Sequence, residues 1–198
     1  MRVLSTPFRF TGFLALTGVL IALVGCGGST ASQAGPSATS ASASASALAY
    51  TAPSSSGYQL VRDPSSTGTH LVLDLVGPQG AQIQGTVFTL SVDGTKASWG
   101  NAGGSDPYIK EGQVLSLGTG AKLLKSQLSG STLQSAIFQK GSVAAATLGS
   151  QPILSVALDL KAGASTGAVS LSSTSAQILD ATGTTQAITV AVGSLTAQ

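Results

Sequence analysis

The residues able to do chemistry in this chain of 198 residues are few. It has one histidine, His70, and one cysteine, Cys26, so a histidine-based triad has a single candidate base and a Cys/His zinc site lacks ligands. The Gly-x-Ser-x-Gly elbow, the His-Glu-x-x-His pair, the phosphate-cradling Gly-x-x-x-x-Gly-Lys loop and an EF-hand-type acidic loop are all missing. A carboxylate pair for glycoside hydrolysis would have to come from Asp74, Asp93, Asp106, Glu111, Asp159 or Asp180. Four of these have a plainer place: Asp93 and Asp180 begin turns, while Asp74 and Asp159 occupy polar positions of alternating strands. His70 precedes a leucine-rich strand and reads as an exposed strand start. The chain is therefore read as no enzyme, with no catalytic residue, no cofactor and no metal site. For binding, Trp99 and Tyr108 flank the polar stretch Asn101–Asp106, a loop of the kind that carries function. A flat aromatic there would stack on a sugar ring; the competing reading makes Trp99 a core or loop anchor.

Cys26 has a different chemistry. Arg2 and Arg9 form a basic start, Phe10–Val24 is an apolar run too short and too interrupted for a comfortable span of about 20 residues, and Ser/Ala-rich sequence follows. Leu23-Val24-Gly25-Cys26 resembles the bacterial lipobox, in which the cysteine sulfur is acylated and becomes the mature N-terminus. A lone cysteine in an exported chain has no disulfide partner, which agrees with that fate. Residues 1–25 are thus expected to be a lipoprotein signal peptide. The lipid on Cys26 is expected to hold the protein to a membrane in the cell envelope, since two or three acyl chains anchor practically permanently. Gly27 and Gly28 follow in place of an aspartate retention signal, favouring the outer membrane in a diderm bacterium.

Residues 26–57 are read as a tether. Gly, Ser, Ala, Thr and Pro dominate, with strict Ser/Ala alternation from Ser40 to Ala47, and such composition lacks the apolar side chains that offset ordering entropy. A flexible coil of about thirty residues has a typical end-to-end distance of roughly 30 Å. Without Arg2 and Arg9, seven basic residues balance seven acidic ones. No clustered Lys/Arg footprint for nucleic acid is present.

Residues 58–198 are expected to form one all-β domain. Leucines recur at alternate positions in Leu71–Leu75, as do Phe88, Leu90 and Val92, and Leu154–Lys161 puts four large apolar residues on one face. Further strands are expected at Ser142–Leu148, Ala168–Ser172, Ala176–Leu179 and Ala187–Val192. The turn sequences Gly77–Gly80, Asp93–Thr95, Gly149–Pro152, Gly163–Gly167 and Asp180–Gly183 separate these runs. Ala121–Leu128 has helical spacing and no β-branched residue, predicting one short helix. Short strands at this spacing indicate an antiparallel β-sandwich.

The pattern resembles the cohesin-like modules, which share a jelly-roll superfamily with certain cellulose-binding domains. Gln84–Asp93 looks like the early strand ending in an aspartate turn, although Val92-Asp93-Gly94 replaces the usual Tyr-Asp-Pro. Pro152–Lys161 is similar to the late strand, and Gly167–Leu171, Ala176–Gly183 and Ile188–Leu195 to the closing strands with their Asp-x-x-Gly turn. The resemblance implies a jelly-roll sandwich that binds a protein module or a polysaccharide, and transfers no contact residue. A structural envelope protein that self-associates through edge strands is the competing function, and an enzyme the third.

Overall fold

Alternating apolar residues become strands because successive side chains of an extended chain point to opposite faces. The structure, a computed structural model, describes residues 43–115, 123–139 and 143–198. In order the strands are β1 (Leu48–Thr51), β2 (Tyr58–Arg62), β3 (His70–Val76), β4 (Gln82–Val92), β5 (Ala97–Gly100), β6 (Ile109–Glu111), β7 (Leu123–Ser129) and β8 (Thr132–Phe138). They continue as β9 (Ala146–Thr147), β10 (Leu154–Leu160), β11 (Gly167–Val169), β12 (Leu171–Asp180), β13 (Thr185–Ala187), β14 (Val190–Ala191) and β15 (Ser194–Ala197). No helix occurs among the described residues.

Two sheets stack as a sandwich. The β3 sheet runs β14-β2-β3-β10-β5, with β6 also on β10; the β4 sheet runs β13-β12-β4-β8-β7, with β9 also on β4. A ribbon, β1-β15-β11, completes the fold. Leu71, Leu73 and Leu75 of β3 and Leu154, Val156 and Leu158 of β10 meet Phe88, Leu90 and Val92 of β4 and Leu133 and Ile137 of β8 in one core. Each such side chain contributes about 1.5–3 kcal/mol on full burial, so this seam holds the sandwich together. All pairings are antiparallel among the described residues except β14 with β2.

The expected jelly-roll sandwich is what forms, with corrections. The domain starts well before Tyr58: Leu48 and Tyr50, 3% and 9% exposed, alternate inward from β1, which pairs with β15 from Leu48↔Ala197 to Thr51↔Ser194. Low-complexity surroundings disguise this two-residue alternation, and its partner strand lies at the far end of the chain. The Tyr50 hydroxyl locks it, donating to Leu60 O (3.1 Å) and accepting from Gly193 N–H (2.8 Å). Ser40–Gln198 thus contains its own core and pairs its own ends, as an independent folding unit does. The residues expected to form a signal peptide, Cys26 and the first part of the expected tether lie outside the described residues.

The short helix expected over Ala121–Leu128 is instead strand β7 (residues 121–122 lie outside the described residues). Gly130, at φ 59°, and Ser131 make a two-residue turn that folds β7 onto β8 in register from Ser129↔Thr132 to Leu123↔Phe138. Seven paired residues outweigh a helix propensity worth tenths of a kcal/mol per residue. Only Ala146–Thr147 of the strand expected at Ser142–Leu148 forms, Ser142 lying outside the described residues. Ala187–Val192 divides between β13 and β14, which belong to different sheets.

Candidate binding face

Following the ladder across β12, β4, β8 and β7 gives four rows of side chains on the outer face of the β4 sheet. The first row is Leu179–Gly85–Phe138–Leu123, entirely apolar. The second is Gln177–Val87–Ala136–Lys125, the third Ser175–Thr89–Gln134–Gln127, and the fourth Ser172–Ser91–Thr132–Ser129. Polarity therefore rises steadily along the strands, and Lys125 is the single charged residue of the sixteen. With rows two residues apart and strands about 4.8 Å apart, the face measures about 14 by 20 Å. Its depressions are shallow and open, one lined by Val87, Lys125, Ser126, Gln127, Gln134, Ser135 and Ala136, the next by Thr89, Gln127, Ser129, Thr132 and Gln134.

The apolar row depends on one glycine. A Cβ at Gly85 would collide with the Phe138 ring and lie 2.6 Å from Ile137 O, so only glycine lets the ring lie against β4. Leu123, at the row's end, is 51% exposed.

Neither aromatic singled out by the sequence is on this face. Trp99 is 6% exposed, pointing from β5 into the core, and its indole N–H donates to Ser131 O (2.9 Å) in the β7–β8 turn. It is an inter-sheet strut, in line with the core-anchor reading and against the stacking one, because its ring has no free face for a sugar. Tyr108 is half-buried against the same core. The face residues Gln127, Gln134, Phe138 and Leu123 carried no local signal, since the strand that aligns half of them reads as helix.

The outer face of the β3 sheet carries His70, Asp74 and Asp159 on its β3–β10 ladder. His70 Nδ1 lies 2.6 Å from Asp159 Oδ1, its register partner. One row on, Val72 and Ala157 are covered by Ala102 of the β5–β6 loop. Next, Asp74 is 8% exposed and accepts the Ser155 hydroxyl at 2.6 Å. Burial pushes the Asp74 carboxyl above its ordinary range against that hydrogen bond, and the Asp63 charge adds to the rise. Asp63 itself is held low by the Ser65 hydroxyl and backbone N–H. Asp74 is thus satisfied under loops while the His70–Asp159 pair stays partly exposed, and no cluster of three or more metal-ligating side chains occurs among the described residues.

No protein-family model matches the chain, and no curated protein matches it. Solved structures do. A chain of a type II cohesin–X-dockerin complex from Acetivibrio cellulolyticus superposes with a TM-score of 0.53 at 9% identity, covering 69% of this chain and 93% of that one. A chain of a type I cohesin–dockerin complex from Clostridium thermocellum gives 0.51 at 8% identity, over 70% of this chain and 96% of that one. A type II cohesin domain from the Acetivibrio cellulolyticus cellulosome gives 0.50 at 13% identity, with 70% and 93% covered. At these identities the likeness is one of fold, and the fold is a cohesin-like jelly roll.

Proposed function

We propose that the chain is a non-enzymatic binding module, lipid-anchored outside the cytoplasm through Cys26, that holds a protein partner on the outer face of the β4 sheet. The observation that carries this reading is the face itself: flat, uncovered by any other described residue, and almost uncharged, with an apolar row at one end and hydrogen-bonding rows behind it. An apolar anchor beside polar groups that fix register is the anatomy of a protein contact, and a face of this area without a deep cleft suits a small module better than a small molecule. The fold supports the same choice, since two of the similar solved structures are complexes with a dockerin. Anchoring rests on the lipobox-like Leu23–Cys26 and the Ser/Ala-rich tether behind it. The envelope, at the outer membrane in a diderm cell, is the matching location.

The test is capture from envelope extract by tagged Ser40–Gln198 in three forms. Wild type and Asp159→Ala, altered on the opposite sheet, should retain the same protein, while Phe138→Ser with Gln134→Lys should lose it by about 10-fold or more. Capture indifferent to the face substitutions would overturn the reading, as would retention of polysaccharide alone.

A further inference from the structure

The β4 sheet ends at β7, and no strand pairs with the outer side of β7 among the described residues. Ser129 and Thr132 flank the two-residue turn as a hydrogen-bonded pair, so Leu123, Lys125, Gln127 and Ser129 direct their backbone groups to β8. Those of Leu124, Ser126 and Leu128 therefore face outward. Such an edge is a template for another strand. The two exposed large hydrophobic residues among the described residues, Leu123 and Leu128, both lie on β7.

One side chain obstructs the edge at its centre. Asp106, on the β5–β6 loop, accepts the outward Ser126 N–H on Oδ2 (3.0 Å) and the Ser126 hydroxyl on Oδ1. Its Oδ1 also accepts the backbone N–H groups of Tyr108 (3.0 Å) and Ile109 (3.3 Å), which hold the carboxylate in place. A loop from one sheet thus occupies the middle donor of the other sheet's open edge.

We propose that Asp106 is a gate on the β7 edge, and that with the gate off the edge pairs antiparallel with β7 of a second copy about a two-fold axis at Ser126. The strand is self-complementary in that register. Leu124 falls opposite the second copy's Leu128, covering an exposed leucine; Lys125 falls opposite the second copy's Gln127, so no like charges oppose; and Ser126 meets Ser126 with both outward backbone groups bonded. No other register centred on an outward-facing residue serves as well: centred on Leu124 or Leu128, the pairing runs off the end of the strand. The closed dimer would continue two β4 sheets into one and set two copies of the outer face side by side.

The test is sedimentation of Ser40–Gln198, with circular dichroism to monitor folding. Asp106→Ser keeps a hydroxyl that can accept from the Tyr108 and Ile109 N–H groups but is too short to reach Ser126. Wild type should sediment as a monomer, Asp106→Ser at twice that mass, and Asp106→Ser with Leu128→Lys as a monomer again. A folded, monomeric Asp106→Ser would overturn the proposal. So would an unfolded Asp106→Ser, which would make Asp106 a structural tie, or a dimer that survives Leu128→Lys. Partner capture plays no part in this readout, so its result and that of the docking face are separable.

Discussion

The outer faces of the two sheets are built by the same alternation and have opposite fates. On the β3 sheet, the outward residues Val72, Asp74, Ser155 and Ala157 are buried, because the β5–β6 loop and the loop after β2 fold over them. On the β4 sheet, the outward residues Gln177, Gln134, Lys125 and Gln127 stay exposed. The buried carboxylate of Asp74 sits where loops cover the β3 sheet and is bonded to Ser155; the outer face of the β4 sheet carries Lys125 as its single charge.

The contrast is open to attack at several points, starting from the interior that both faces share. Trp99→Ala should cost about 3–5 kcal/mol, since it empties a large core volume and leaves Ser131 O without its indole donor. Urea unfolding would measure it, and a loss under about 1 kcal/mol would return Trp99 to the surface. On the exposed side, Gly85→Val should cost about 1–3 kcal/mol by driving the Phe138 ring off β4. It should also weaken partner capture in a protein that is still folded at room temperature. An unchanged melting temperature would mean the apolar row tolerates repacking and is no fixed anchor.

The smallest effect lies under the loops. The folded Asp74 carboxyl binds its proton more tightly than at its ordinary value of 3.8, so its contribution to stability is fully present below that value and fades as pH rises through the folded pKa. Asp106 runs the other way. Burial alone would raise it, but hydrogen bonds from Ser126, Tyr108 and Ile109 outweigh burial and hold it low, so its contribution is present at neutral pH and lost on acidification. Asp74→Asn should therefore gain on wild type progressively as pH is raised from about 4 to about 7, in denaturant melts taken at several pH values. A constant difference would show that Asp74 ionises as freely as an exposed carboxylate.

Much of the fold was legible because its signal is local. In β3, β4 and β10 a leucine, valine or phenylalanine at every second residue can bury one face only when extended, and these strands stand where the alternation puts them. The Asp93 and Asp180 turns were equally readable, each carboxylate accepting the N–H two residues on, from Thr95 and Thr182, at 2.9 Å. What escaped has a common cause. Leu48–Thr51 has only two inward residues and takes its ladder from β15; Leu123–Ser129 has helix-tolerant residues and takes its ladder from β8. In both the partner strand, not the segment, supplies the decisive energy.

Periodicity and residue counts need no knowledge of neighbours, and they sufficed to make this chain an alternating-strand sandwich with a thin catalytic inventory. Which outward face remains open, that Trp99 is a strut, and that Asp106 sits on the β7 edge were settled only in the folded chain. Those facts depend on where loops and distant strands land. Coverage, register and edge protection are contacts between residues remote in the chain, and the spacing of neighbouring residues carries no record of them.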